Sequence, residues 1–293
     1  MKPVVIRLLV VTLWLAMLLA LLRYEAWPER FTGSVQGYRG LVARELLLRD
    51  TWSRILIDGV PGGYGHTNIG VDETIQGNAV EIENRTVLRV ALMGRPQNIN
   101  VRTILRLDPR FHLSRFETRV TTRDHALHVT GERIDERDDR YALTVSIGDQ
   151  EHHTEIRIPD DTILYAPMTE LAMRNLRPGQ ELTLKTFDPI TQGEARIRLH
   201  ARGQETVEVE GETREAMRID AVYRGLTLSS WIDREGAVLR QETPLGWVIE
   251  ACSPDTALAA VSDATPVPEL MTGGGGAALL RLLGAAMEGG VDD

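Results

Sequence analysis

Residues 4–22, VVIRLLVVTLWLAMLLALL, form an apolar run interrupted by one charge, Arg7, near its start. At ~1.5 Å rise per residue the run reaches about 28 Å as a helix, close to the ~30 Å hydrocarbon core of a bilayer. It is long enough to span. A long polar chain follows with no second run of this kind, so one hydrophobic element sets the compartment of everything after it. Basic residues are retained on the cytoplasmic side of a spanning helix. Lys2, Arg7 and the α-amino group lie before or at the start of the run, whereas Arg23 after it is soon balanced by Glu25 and Glu29. The expectation is a single-pass anchor in the cytoplasmic (inner) membrane, with the N-terminus in and the body in the periplasm or exterior. Trp14 sits mid-span, and Tyr24 and Trp27 fall at the interface, where aromatic rings favour the headgroup level. A cleaved secretory signal shares the basic start and apolar middle but needs small residues at its cut. Ala20-Leu21-Leu22 and Leu22-Arg23-Tyr24 both place a large residue there.

Charge and cysteine usage bound the exported part. A net charge of −9 and a pI near 5.4 argue against nucleic acid as a partner, because phosphates demand a basic face. They argue equally against broad attraction to anionic lipid headgroups. The only cysteine, Cys252, cannot form an internal disulfide, so an oxidising compartment is permitted but unused. Lipidation of an N-terminal cysteine is excluded for the same reason.

The chain divides into the anchor (1–23), a juxtamembrane connector and helix (24–50), an antiparallel β-domain (51–262) and a Gly/Pro-rich linker with a short apolar C-terminal segment (263–293). In the connector, Pro28, Gly33, Gly37 and Gly40 act as breakers. Leu41, Val42, Leu46, Leu47 and Leu48 then follow a mostly helical pattern through residue 50. From Trp52 the period becomes two. Residues 52–58 and 64–69 read as a hairpin with a Gly-rich connection at 59–63. Further strands are expected at 79–92, 98–108, 113–122, 126–134, 141–147 and 152–158, alternating in side-chain character as half-buried antiparallel strands do. One internal helix is expected at 169–176, with Thr169 as its cap and Pro178-Gly179 as its stop. Strands resume at 180–187, 195–203, 205–209, 216–223, 226–231, 237–243 and 247–251. No βαβ unit of the required length appears, which speaks against a parallel sheet. The fold class is therefore mainly β: a large curved antiparallel sheet with short helices, partly wrapped round one of them, preceded by one transmembrane helix.

Several motifs in the second half carry a resemblance. A Pro-Gly turn at Pro178-Gly179 is followed by the Gly-x-Glu-x-Val strand Gly203-Gln-Glu-Thr-Val207 and by the Trp-(hydrophobic)-Asp-x-x-Gly hairpin Trp231-Ile-Asp-Arg-Glu-Gly236. In this order they resemble uncharacterised bacterial extracytoplasmic β-domains. Similar β-regions precede the catalytic part of some secreted transglutaminase-like proteins, in which a Leu-Gly turn and a Thr-x-x-Ala helix come next. Leu245-Gly246 corresponds to the turn, and Asp255-Thr-Ala-Leu258 loosely to the helix. The architecture this resemblance implies is a curved half-barrel like that of the lipoprotein-localisation carriers, over residues 52–258.

Catalytic groups are sparse. Transglutaminase-like chemistry needs a thiolate with a His and an orienting Asp after it, yet no histidine follows Cys252, and the last one is His200. The cysteine therefore reads as a buried or incidental thiol. His125, His128, His152, His153 and Glu155 bring to mind a metal cluster, but strand neighbours point to opposite faces and cannot converge on one ion without a bulge. They read as surface polar positions. Asp138-Asp139 and Asp160-Asp161 lie at reversals beside Arg137, Arg140 and Pro159, without the spacing of a calcium loop. No Gly-x-Ser-x-Gly, His-Glu-x-x-His or Gly-x-Gly-x-x-Gly is present. The expectation is a non-catalytic protein with no metal and no cofactor.

Beyond the glycines at 273–276, residues 277–287 read AALLRLLGAAM, too short to span a bilayer as a helix. Leu279, Leu280, Leu282 and Leu283 are its candidate docking residues; the segment docks on the chain's own domain, docks in a partner groove, or frays. The function expected from anchor, β-domain and tail is that of an interaction or accessory subunit of an envelope complex, beside a transporter or processing system. The alternative is a lipid or lipoprotein binding or transfer protein using the concave apolar face that such half-barrels offer.

Overall fold

The structure, a computed structural model, describes Tyr38 and residues 49–72, 79–92, 94–135, 139–164, 172–173, 176–188, 193–223, 225–262 and 265–269. The apolar run and the anchor residues Arg7, Trp14, Tyr24 and Trp27 lie outside the described residues. So do residues 41–48 of the expected connector helix, and the tail with Leu279, Leu280, Leu282 and Leu283. No helix among the described residues is long and apolar enough to cross a membrane.

Fifteen strands form one sheet. β1 (Arg49–Ile57), β2 (Val60–Asp72), β3 (Ala79–Leu92), β4 (Arg95–Leu107), β5 (Leu113–Thr121), β6 (Ala126–Arg133), β7 (Arg140–Ile147) and β8 (Gln150–Arg157) pair in chain order as an antiparallel meander. A second series runs from β9 (Thr162–Leu164) through β10 (Glu181–Asp188), β11 (Gly193–Val209), β12 (Glu212–Tyr223), β13 (Leu226–Ile232) and β14 (Val238–Glu242) to β15 (Trp247–Ala251). β1 and β15 pair antiparallel in the middle. The chain thus steps outward to one edge, β8, crosses to the opposite edge, β9, and steps back to finish beside its start. Residues 158–161 make that crossing. Five residue steps from Arg157 to Thr162 reach at most about 18 Å, so the sheet has to curl until its two edges converge on this link. Ile158 in the link is buried, while Arg133 pairs with Asp160 and Lys185 with Asp161.

The alternation of the strands decides what the curl encloses. Ile82, Leu105, Phe116, Gly131 and Leu143 stand directly opposite one another across five strands, and the four side chains among them are essentially inaccessible. From the other half, Leu184, Ile197, Leu199 and Ile219 join the same apolar cluster, together with Tyr38, Ala172 and Met173. The two halves therefore face each other across a core made of their own side chains. Two tyrosine hydroxyls are satisfied inside it: Tyr141 donates to the Leu113 carbonyl at 2.6 Å and Tyr38 accepts from the Leu164 N–H at 2.8 Å. A smaller cluster, Ile55, Ile57, Leu88 and Val90, lies near Trp247 and Ile249. After β15 comes the helix α1 (Pro254–Ala259), capped by Ser253, whose side chain accepts from the Thr256 N–H. Residues 265–269, at the start of the expected linker, run beside β3, and the Ala91 N–H donates to the Pro268 carbonyl at 2.8 Å.

Several sequence expectations are corrected. Arg49 and Asp50, the expected end of a helix, open β1. The first reversal is the dipeptide Asp58-Gly59, both with positive φ, as a tight hairpin turn requires. Gly62 and Gly63, read as part of that connection, belong to β2. Gly63 faces the Val87 carbonyl, where a Cβ would come within 2.3 Å. Strands expected separately at 195–203 and 205–209 are one strand, β11, with an irregular register between Ala201 and Gly203. β9 was not expected, and it pairs parallel with β10, an exception in a sheet otherwise antiparallel. Of the expected helix at 169–176, Ala172 and Met173 are helical and buried, and residues 169–171 and 174–175 lie outside the described residues.

Candidate functional site

One transverse row on the outer face of the sheet concentrates the chemistry. Arg54 of β1 stands opposite Glu250 of β15, which stands opposite Arg240 of β14; Arg240 faces Trp231 of β13, and Trp231 faces Arg218 of β12. The row follows from the pleat, because residues in register on neighbouring strands share a face. Glu250 is buried and bound from both sides. Arg54 donates to it through Nε at 3.1 Å and Nη2 at 2.8 Å, and Arg240 reaches its other oxygen. Arg240 also holds Glu242 at 2.9 Å. Trp231 donates through Nε1 to Glu205 at 3.2 Å and lies under the Arg218 guanidinium at 5.6 Å, a cation–π arrangement.

A second buried carboxylate repeats the pattern. Asp220 accepts from Arg202 at 2.8 Å, Arg218 at 3.0 Å and the Ser229 hydroxyl at 2.9 Å. Burial alone raises its carboxyl, but the hydrogen bonds from Arg202, Ser229 and Arg218 outweigh that and hold it below the usual carboxylate range. Around the first row opens a cleft of about 530 Å³, whose lining includes Arg54 and Arg240 but also Glu205, Glu208, Glu210, Glu242 and Glu250. Its balance is acidic, and the buried Glu250 in it already has partners in Arg54 and Arg240. Sequence reading did not single this row out. In the sequence its members stand only as charged residues at alternate positions of strands, and Trp231 only as part of a hairpin motif. That motif has a local cause: Asp233 accepts from the Glu235 N–H at 2.9 Å and the Ala237 N–H at 2.7 Å, fixing the turn.

The residues weighed from sequence are scattered. His128 lies 2.9 Å from Glu117 on the outer face, and His153 contacts Thr144 Oγ1 at 3.0 Å. His152 and His153 pair with Val145 and Thr144 and so point to opposite faces of β8. His125 sits in the β5–β6 turn, where its N–H donates to Thr122 Oγ1. Among the described residues no group of three or more His, Cys, Asp or Glu side chains is placed to hold a metal ion. Asp139 binds Arg157 at 2.8 Å, while Asp138 lies outside the described residues. Burial pushes the Cys252 thiol up to about 11, with Glu210 adding to it and Arg54 opposing.

No family model matches the sequence, and no curated protein matches it. Among solved structures, the crystal structure of a β-barrel-like protein of domain of unknown function DUF1849 from Brucella abortus is similar, with a TM-score of 0.45 at 10% identity, over 69% of this chain and 93% of that one. A DUF1089 family protein from Pseudomonas aeruginosa gives a TM-score of 0.33 at 12% identity, over 59% of this chain and 87% of that one.

Proposed function

We propose that this chain is a non-catalytic, membrane-anchored extracytoplasmic β-domain that serves as an interaction or accessory subunit of an envelope complex. One observation carries the reading. The concave face of the sheet is taken up by a continuous cluster of the protein's own side chains, from Ile82 and Phe116 in one half to Leu199 and Ile219 in the other, so the chemistry it offers lies on the outside. The acidic cleft beside Trp231 and Glu250 supports this, since a rim of Glu205, Glu208, Glu210 and Glu242 attracts a basic segment of another protein through the field it creates. The alternative use as a lipid or lipoprotein handler draws less support, because an acyl chain would have to displace packed core residues.

The test is extraction of the full chain from its native membrane in mild detergent, followed by native mass spectrometry. The expected result is a complex containing a different protein, weakened when Glu205 and Glu242 are both changed to Lys. Recovery of this chain alone, as monomer or as copies of itself, overturns the reading; so does stoichiometric co-purifying lipid lost on mutation of the core.

A further inference from the structure

The two edges of the sheet are unequal. β9 has three residues, all buried, whereas β8 has eight, of which only Ile156 is less than exposed. Among the described residues no strand pairs with the outer side of β8. A long unpaired edge is a template for strand addition, and the order of residues along this one specifies its partner.

The β7–β8 hairpin has a two-residue loop, Gly148-Asp149, closed by the pair Ile147 and Gln150. That closing pair is hydrogen-bonded in a two-residue hairpin, and the alternation of an antiparallel ladder then turns the amide groups of Glu151, His153, Glu155 and Arg157 away from β7. A strand added here must meet those four residues with outward-turned residues of its own. For a second copy running antiparallel, two registers with long overlap satisfy this. A two-fold axis at His153 sets Glu151 against Glu155, like against like. An axis at Thr154 sets Glu151 against Arg157 and His153 against Glu155, each twice, all on the outer face of the sheet. Opposite charges directly across a strand pair stabilise it and like charges oppose it.

We propose that two copies of this chain associate isologously through β8, antiparallel, with the two-fold axis at Thr154. The sequence Glu-His-His-Thr-Glu-Ile-Arg is self-complementary in that register and disfavours the neighbouring one. This contact goes beyond the envelope-partner reading and does not rest on it, because β8 contributes no residue to the acidic cleft.

The experiment uses the full chain in detergent, in a Cys252→Ala background. Across the axis the two Thr154 Cα atoms form a non-hydrogen-bonded pair about 4.5 Å apart, within the range a disulfide bridges. The two His153 Cα atoms lie about 8–9 Å apart in the same register, beyond that range. Thr154→Cys is therefore expected to yield a disulfide-linked dimer on mild oxidation, and His153→Cys is not. By sedimentation equilibrium, Glu151→Arg and Arg157→Glu should each weaken dimerisation on the order of tenfold or more, two pairs being lost per dimer, and the double variant should recover it. A chain that stays monomeric, that cross-links at His153 instead of Thr154 or at neither, or that ignores the charge reversals overturns the proposal.

Discussion

The ring of Phe116 lies directly over Gly131, its cross-strand partner, so closely that a Cβ built on the glycine would come within 2.1 Å of Cε1. The ring fills the place a side chain would occupy on β6, and it carries the middle of the row from Ile82 to Leu143. Gly131→Ala is therefore expected to destabilise the fold by about 1–3 kcal/mol through overpacking. Phe116→Leu costs on the order of 1–2 kcal/mol by itself, and combining the two should cost less than their sum, since the smaller side chain makes room for the methyl group. Urea unfolding midpoints of the four proteins check this; additive losses would show that the contact is not what excludes a larger residue.

Glu250 makes a second, electrostatic prediction. Its side chain is 5% exposed and lies between Arg54 and Arg240, which are 26% and 23% exposed. Removing it leaves two half-buried guanidinium groups facing each other without their shared anion. Glu250→Ala should lose about 2–3 kcal/mol, less than the roughly 3–5 kcal/mol of a fully buried pair because both arginines still reach water. Glu242→Ala, a more exposed partner of Arg240, should lose under about 1 kcal/mol. Chemical denaturation of the two variants side by side separates the cases.

Strand positions were readable because alternation is a local property: a residue's face follows from its neighbours two places away. β3, β5, β6 and β15 fall where the pattern puts them, to within a residue or two. What the pattern does not contain is which strand lies beside which. The pairing of β1 with β15 joins Arg54 to Glu250 across 196 residues, and no local signal links them, so the charged row stayed invisible although every member sat in an expected strand. β9 was missed because three buried residues, Thr162, Ile163 and Leu164, are too few to show a period. Gly62 and Gly63 of β2 read as a loop because sequence alone does not distinguish a glycine needed for a turn from one needed for close backbone approach.

Asp220 sets an acid limit. Its carboxyl is held lower in the folded protein than in the unfolded chain, whose reference value is about 3.9. A depressed folded value contributes stability that is present above the unfolded value and is lost as pH falls through the folded one. The stability difference between the protein and Asp220→Asn should thus be constant above about pH 5 and shrink steadily below about pH 4. Denaturation measured at half-unit intervals from pH 6 to pH 3 reads it directly. A difference that does not change over that range would mean that the carboxyl titrates alike in the folded and unfolded chain, burial cancelling the hydrogen bonds from Arg202, Ser229 and Arg218.

Cys252 closes β15 at the point where its N–H donates to the Trp52 carbonyl at 3.0 Å. Its thiol is raised to about 11, first by burial and then by Glu210, against the opposing charge of Arg54. The thiolate is the reactive species, and relative to a free cysteine near 8.5 its population at pH 7–8 falls by roughly 200–300-fold. Alkylation by iodoacetamide should accordingly be slower than that of a small thiol, by less than that factor because the more basic thiolate is the better nucleophile, and the rate should keep rising beyond pH 10 instead of levelling off near 9. Glu210→Gln should lower the apparent value modestly, because it removes a negative charge that disfavours the thiolate, while Arg54→Met should raise it. Fast modification at neutral pH, or a plateau below pH 9, would show an activated thiol and bring back the nucleophilic role that the chain otherwise leaves without a following histidine.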